Sequence, residues 1–199
     1  YEAMGGATNT GAGNIASGYK ALYSNTSGNY NQASGDRTMY SNTTGSSNIA
    51  SGNSALYSNT SGDHNSASGT RSLYSNTSGD YNQASGYKAL TGNTTGTYNM
   101  ASGYKAMGGA TNTGSYNQAS GYEALKANTT GAGNNASGYK ALTGNTTGTY
   151  NMASGYEAMG GATNTGSYNQ ASGYRALKAN TTGTGNNASG YKALTGNTT

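Results

Sequence analysis

The sequence contains no cysteine, proline, tryptophan or phenylalanine, and valine is missing as well. Without cysteine the chain can form neither disulfides nor thiolate metal sites, and it has no thiol nucleophile. Leucine and methionine together supply fourteen side chains in 199 residues. A compact domain needs more of them, because ordering each residue costs roughly 1.5 kcal/mol of conformational entropy. The chain is therefore either disordered or buries its apolar groups in a geometry other than a globule.

Charge and long apolar runs are also scarce. The net charge is +4, and the ten lysine and arginine residues are spread along the chain instead of forming the basic cluster of a nucleic-acid-binding protein. No run approaches the about eighteen apolar residues that span a membrane, and the first residues do not resemble a signal peptide. We expect no nucleic-acid partner and no membrane insertion in this segment. Because the chain begins and ends inside a repeat, we expect it to be a fragment of a longer one.

The residues that usually carry catalysis or bind metals are few. The single histidine is His64, and the six acidic residues are scattered. Asp36, Asp63 and Asp80 do not fit the calcium-binding nonapeptide, which needs an aspartate in every repeat. The sequence thus predicts no catalytic residue, no metal site and no cofactor, and indicates a protein that is not an enzyme.

What the sequence does contain is one repeat. The tripeptide Ala-Ser-Gly recurs eleven times, with its glycine at residues 18, 35, 52, 69, 86, 103, 121, 138, 155, 173 and 190. The unit at residues 87–103 reads YKALTGNTTGTYNMASG, and we number its positions 1 to 17. Units begin at residues 1, 19, 36, 53, 70, 87, 104, 122, 139, 156, 174 and 191. Residues 1–199 therefore form a single repeat domain without a linker.

A longer period of 52 residues begins at residue 87. Residues 93–107 and 145–159 are identical except that Lys105 is replaced by Glu157. Recent duplication of a three-unit block explains this near-identity.

The repeat predicts an all-β fold, since glycine, asparagine, serine and threonine disfavour helix interiors. We expect a parallel β-solenoid, or β-roll, of eleven coils of 17–18 residues. Glycines at positions 10 and 17 are expected to adopt positive φ at its corners. Stacked coils place each side chain about 4.8 Å from its own copy, so that equivalent residues form columns.

Two such columns are predicted to be structural. The apolar rib at position 4 comprises Leu22, Met39, Leu56, Leu73, Leu90, Met107, Leu125, Leu142, Met159, Leu177 and Leu194. The asparagine ladder at position 13 comprises Asn31, Asn48, Asn65, Asn82, Asn99, Asn117, Asn134, Asn151, Asn169 and Asn186. Because this interior is thin, we expect several chains to pack their apolar ribs together, around a threefold axis.

The charged side chains at position 2 offer a check on stacking. Lys105, Glu123, Lys140, Glu157 and Arg175 alternate in sign along successive coils, which favours attraction between neighbours. Residues 71, 88 and 105 are three consecutive cations and do not follow this rule.

The segment Ala101-Ser102-Gly103-Tyr104-Lys105-Ala106-Met107, preceded by Gly96 and Asn99, resembles the head repeat of YadA-like trimeric adhesins. Both have a small-x-Gly-x-x-Ala pattern and a second glycine in each coil, although the unit here is a few residues longer. The repeats are also similar to those of phage-type tail fibres. The resemblance implies a left-handed β-roll, a homotrimer and an extracellular adhesive or spacer role.

The exposed positions suggest further sites. Stacked tyrosines at position 1 could contact cell-surface glycans or other receptors: Tyr87, Tyr104, Tyr122, Tyr139, Tyr156 and Tyr174. The plainer interpretation is that they stack on one another and stiffen the rod. Asn93 and Asn145 lie in Asn-x-Thr sequons and are candidate glycosylation sites on an exposed turn. The alternative is that Asn-Thr-Thr-Gly serves only the corner geometry.

The function expected from the sequence is a non-catalytic shaft or head of an extracellular fibre or adhesin, at a cell surface or on a virion. Its main partner would be itself, as a trimer or a longer fibre. Two alternatives stay open: a glycan- or ice-binding solenoid that uses tyrosine or threonine ribs, and an amyloid-like matrix fibre. Ice binding is disfavoured because Thr94 and Thr95 are adjacent and should face opposite sides of a strand.

Overall fold

The computed structural model describes residues 2–6, 8–109, 111–161 and 163–198. Positions 14–16 of each coil form a three-residue strand. The strands are β1 (Ile15–Ser17), β2 (Gln32–Ser34), β3 (Ile49–Ser51), β4 (Ser66–Ser68), β5 (Gln83–Ser85), β6 (Met100–Ser102), β7 (Gln118–Ser120), β8 (Asn135–Ser137), β9 (Met152–Ser154), β10 (Gln170–Ser172) and β11 (Asn187–Ser189). No helix occurs in the described ranges.

The strands form one parallel sheet in chain order, from β1 to β11. Each residue pairs with the residue one repeat away, as Ala101 of β6 does with Ala119 of β7. The 18-residue coils keep this register, so their extra residue is accommodated outside the sheet. The predicted all-β parallel solenoid of stacked coils is confirmed.

The corner that follows each strand alternates in the sign of φ. Gly86 has a φ of +127°, and Lys88 and Leu90 have φ values of +55° and +51°, whereas the residues between them are not in the positive region. A third non-glycine residue with positive φ, such as Tyr98 at +56°, occupies position 12. Non-glycine residues pay roughly 1–2 kcal/mol for this conformation. Hydrogen bonds to neighbouring coils accompany it, for example 2.9 Å from Leu90 N–H to the Ala106 carbonyl.

Position 10 departs from the prediction. Gly131 does not adopt a positive φ, although Gly138 at position 17 does, at +130°. Gly131 is required for a different reason: an added Cβ would lie 2.4 Å from the carbonyl oxygen of Gly148 in the next coil. Close approach between coils, and not backbone conformation, therefore selects glycine at position 10.

The core lies inside a single chain. Leu90 and Leu125 are completely buried, as are the position 3 alanines between residues 21 and 176, and the strand alanines at position 15 close the interior from the sheet side. Intermolecular packing through this rib, expected from its thinness, is therefore wrong for the rib residues from Leu22 to Leu177, which leave no surface for a second chain. Leu194 is the exception among the predicted rib residues, since it is 49% exposed.

The position 13 asparagines connect each coil to both neighbours. Asn134 donates from its backbone N–H to Asn117 Oδ1 at 3.0 Å and from Nδ2 to the Gly148 carbonyl at 2.8 Å. Its own Oδ1 accepts from the backbone N–H of Asn151 at 2.9 Å. Nine of these ten side chains are buried, and Asn186 near the end is partly buried. A buried amide with every bond satisfied substitutes here for apolar filling.

A second asparagine ladder, which the sequence analysis did not identify, runs along position 7. Asn93 Nδ2 donates to Asn76 Oδ1 at 2.8 Å and also to the Gly96 carbonyl at 3.0 Å. The recurrence of asparagine at position 7 was the signal for it. The ladder residues buried in the structure are Asn25, Asn42, Asn59, Asn76, Asn93, Asn112, Asn128, Asn145, Asn164 and Asn180.

Candidate functional surfaces

The tyrosines at position 1 form one continuous column. Consecutive rings lie 4.9 to 5.3 Å apart between centroids and are nearly parallel. The column contains all six predicted contact residues and one more: Tyr87, Tyr104, Tyr122, Tyr139, Tyr156, Tyr174 and Tyr191. Inside it each ring has a neighbour on both faces, so that only ring edges and hydroxyl groups reach solvent.

Two further aromatic columns lie at other positions. Position 5 carries Tyr23, Tyr40, Tyr57 and Tyr74, with centroids 5.1 to 5.3 Å apart. At position 12, exposed His64 stacks on Tyr81 at 4.8 Å. In the described part of the chain, no group of three or more histidine, cysteine or acidic residues could hold a metal ion. His64 is placed as one more ring in a column.

Basic side chains at position 2 lie over the tyrosines that precede them. Lys105 Nζ is 5.1 Å from the ring centroid of Tyr104, and the guanidinium of Arg175 is 5.0 Å from that of Tyr174. Both distances are within the range of about 6 Å from a ring centroid at which a cation is attracted to an aromatic ring.

Among the described residues, charges at position 2 make two ion pairs between coils, Glu2 with Lys20 at 3.5 Å and Glu157 with Arg175. Arg175 Nε donates to Glu157 Oε2 at 2.8 Å, and Lys178 Nζ contacts the same oxygen at 2.8 Å. Hydrogen bonding from Lys178, and then from Arg175, lowers the pKa of the Glu157 carboxyl. Glu123 instead pairs with Lys126 of its own coil at 2.9 Å.

The candidate glycosylation sites are not exposed. Asn93 and Asn145 are completely buried in the position 7 ladder, where the amide nitrogen that would carry a glycan donates to two acceptors. The prediction of an exposed, glycosylated turn is therefore wrong for both residues. The corner interpretation of Asn-Thr-Thr-Gly describes them better, because the amide closes the turn onto the carbonyl of position 10.

The outer face of the sheet is a shallow trough without charge. Positions 14 and 16 point outward on either side of the buried alanine, and the trough over β4 to β8 encloses about 550 Å³. Position 14 varies between residues such as Gln83, Met100 and Asn135, whereas position 16 is serine in all eleven strands. Ile15, Ile49, Met100 and Met152 are 40–61% exposed on this face.

The threonines at position 8 are used internally. Thr43 Oγ1 donates to the Thr60 carbonyl at 2.9 Å, and Thr60 Oγ1 repeats the contact with Thr77 at 3.0 Å. Their hydroxyl hydrogens are therefore directed at the next coil and not at a flat outer array.

Comparison with known proteins adds no relative: no family model, no curated protein and no solved structure matches the chain. Within the described residues there is no helix long and apolar enough to cross a membrane.

Proposed function

We propose that the chain is a non-catalytic structural segment of an extracellular fibre or adhesin, acting as a spacer and attachment element. The observation that carries this proposal is continuity: two asparagine ladders run along the stacked coils inside the chain, and a seven-ring tyrosine column follows the second half outside. Every coil is bonded to both neighbours through buried amides. Such a rod resists bending and keeps whatever it carries at a fixed distance from its base.

The proposal includes a left-handed homotrimer, as in the YadA-like head repeats that the sequence resembles. Since the apolar rib is enclosed within each chain, the contact between chains would use the outer sheet face. That face carries no charged residue at positions 14 or 16, and its exposed isoleucine and methionine side chains would be covered by other copies.

Sedimentation tests the trimer. The double variant Met100→Lys, Met152→Lys adds two charges to the sheet face, and we expect it to sediment as a folded monomer. The control is Thr95→Lys, Thr147→Lys, which adds the same charge at exposed position 9 and should leave the trimer mass unchanged. A wild-type chain that sediments as a folded monomer would refute the trimer but would not contradict a spacer formed by a single chain.

A glycan-binding surface made of the tyrosine column is the competing function. Sugar rings stack on aromatic faces, and the faces inside this column are occupied by other tyrosines. Ice binding is likewise poorly supported, because the position 8 hydroxyls bond to carbonyls and the outward position 14 is not threonine. An amyloid-like matrix fibre would differ from the proposed rod in forming assemblies of indefinite length, which the same sedimentation measurement would reveal.

The experiment that separates spacer from adhesive surface is the triple variant Tyr104→Ser, Tyr122→Ser, Tyr139→Ser. If the tyrosines stiffen the rod, the melting temperature falls while attachment of the folded protein to cells is unchanged. Loss of attachment with unaltered melting would reject the spacer function and favour the aromatic contact surface.

A further inference from the structure

Four basic residues that are far apart in the sequence meet on one side of the rod. Arg71, Lys88 and Lys105 occupy position 2 of three consecutive coils, and Lys126 occupies position 5 of the next coil. All four line a surface notch of about 440 Å³. Coils stack at the usual strand spacing of about 4.8 Å. The dispersed cations of the sequence are therefore clustered by the fold, contrary to the expectation drawn from their spacing along the chain.

The notch exists because two consecutive coils carry small residues in the position 5 column. Tyrosines fill this column as far as Tyr74, after which the same place holds Thr91 and then Gly108. The following coil restores bulk with Lys126, whose aliphatic stem lies against Gly109 so closely that a Cβ there would be 2.7 Å from its Cγ. Tyr74 and Lys126 thus form the two ends of the notch, and the position 2 cations line its side.

The charge of the notch is largely unbalanced. Within the described residues, no carboxylate lies within 4.0 Å of the charged nitrogens of Arg71, Lys88 or Lys105. Lys126 is paired with Glu123 at 2.9 Å, and Glu123 is the acidic residue that borders this group. Four positive charges against one negative charge favour an anionic occupant, and a concave surface strengthens the local field.

Tyr74 adds an apolar contact to this charge. Its ring stacks on Tyr57 at 5.1 Å, but in the described structure it has no aromatic neighbour on the side of Thr91. Among the described residues, no ring stacks on the face of Tyr74 that borders the notch, and the Arg71 guanidinium lies 5.7 Å from the Tyr74 ring centroid. A tyrosine face beside cations suits a ring that is apolar on one side and carries negative groups at its edge.

The chain contains an internal counterpart of this site, 52 residues later, in which acidic residues replace two of the cations. A shift of 52 residues places Glu123 at the site of Arg71, Lys126 at that of Tyr74 and Glu157 at that of Lys105. Glu157 is bonded there to Arg175 and Lys178 at 2.8 Å each. The difference between Lys105 and Glu157, together with the changes at the sites of Arg71 and Tyr74, therefore exchanges an open cationic notch for a surface closed by ion pairs.

We propose that the notch bounded by Tyr74 and Lys126 binds an anionic polysaccharide through its sulfate or carboxylate groups. Cations repeated at the coil spacing match a polymer with repeated negative groups, and Tyr74 with Arg71 beside its ring accepts one sugar ring. Single-stranded nucleic acid fits less well, because it is bound by several stacking platforms along a longer basic groove. This site gives the rod a specific ligand, which the spacer function does not require.

Binding of defined oligomers to the full chain tests the site. The probes are a heparin-derived hexasaccharide for sulfate, a hexagalacturonate for carboxylate, and an eight-residue oligothymidylate for nucleic acid, each measured by calorimetry at low and physiological salt. Lys105→Glu copies the natural residue of the second block, so the fold should tolerate it, and circular dichroism checks this. Lys88→Ser, which copies Ser54 at the same position, is the second loss variant, and Glu157→Lys is a control that adds a cation where no tyrosine corresponds to Tyr74.

We expect one saccharide per wild-type chain, binding weakened on the order of tenfold by Lys105→Glu, and no second site in Glu157→Lys, because that counterpart has no tyrosine at the place of Tyr74. Screening by salt should weaken all of these affinities. If Lys105→Glu and Lys88→Ser both leave saccharide affinity unchanged, the site is refuted. Tighter binding of oligothymidylate than of either saccharide would overturn the polysaccharide assignment. The saccharide that binds more tightly identifies sulfate or carboxylate as the group recognised.

Discussion

Asn112 donates from its Nδ2 to Asn93 Oδ1 at 3.3 Å, although Asn112 stands five residues after Met107 whereas Asn93 stands three after Leu90. Compared with a 17-residue coil, the 18-residue coil has two more residues between position 4 and the ladder asparagine. It has one residue fewer between that asparagine and the following glycine. The ladder nevertheless continues, since Asn128 Nδ2 donates to Asn112 Oδ1 at 3.1 Å. Alignment of the buried amides, and not of the loop that leads to them, is therefore what the stacked coils preserve.

Replacement of a ladder residue should destabilise the rod strongly. Asn134→Ala leaves the buried Asn151 N–H without its acceptor, at a cost of about 1–3 kcal/mol, and removes one of the two donors to the Gly148 carbonyl, which keeps its bond from Asn145 Nδ2. The matched control is Asn135→Ala, one residue later, whose side chain is exposed on the sheet face. Urea unfolding followed by circular dichroism should show a large shift of the midpoint for the first variant and almost none for the second. Equal shifts would mean that the ladder is not a stabilising element.

The glycine at position 10 should be intolerant of any side chain. Gly131→Ala would place a methyl group 2.4 Å from the Gly148 carbonyl oxygen, so the coils must separate, and we expect a loss of about 3 kcal/mol or more. Gly185→Ala is the comparison, because its Cβ would meet nothing within 4 Å and only the φ of +68° opposes it, at a cost of about 1 kcal/mol. Thermal melting of both variants measures the difference. A smaller effect at Gly131 would contradict close approach as the reason for glycine there.

The apolar rib should stabilise each chain by itself. Leu125→Ala leaves a cavity in a fully buried site and should cost about 2–5 kcal/mol, whereas Leu194→Ala, at a half-exposed site, should cost far less. Melting measured over a hundredfold range of protein concentration provides the further check. The difference in melting temperature between Leu125→Ala and wild type should be the same at every concentration, and a difference that changed with concentration would make the rib part of an intermolecular contact after all.

The ion pairs of Glu157 predict a pH dependence with a definite sign. Because the folded-state pKa is lowered, the stabilisation is fully present above the ordinary value of 4.5 and is lost as pH falls through the lowered folded value. Glu157→Gln should therefore be less stable than wild type at pH 7, by about 0.5–1 kcal/mol for a partly exposed pair. The difference in unfolding free energy between wild type and Glu157→Gln should decrease as the pH is lowered from 5 to 2, as measured by the urea midpoints of both proteins. If this difference in stability stayed constant over the pH range, the ionised Glu157 carboxylate would not be its cause.

The repeat alone predicted much of the architecture. The eleven Ala-Ser-Gly tripeptides locate all eleven strands, and the regular spacing indicates stacking in register, because equivalent residues can then bond to one another. Position 13 was recognisable as a ladder because its asparagine never varies. Position 7 carried the same signal, but its Asn-Thr-Thr motif also matches a sequon, and only burial distinguishes the two interpretations.

The composition of the chain by itself excluded a globule, because too few apolar side chains are present, and its period predicted that like residues stack in columns wherever the chain is ordered. Only the tertiary structure decided which columns face inward, since burial depends on corners where lysine, leucine and tyrosine adopt positive φ, a conformation that residue type does not predict. It also decided that the rib is enclosed within one chain, and that Arg71, Lys88, Lys105 and Lys126 meet, because neighbours between coils are set by the stacking and not by distance along the sequence.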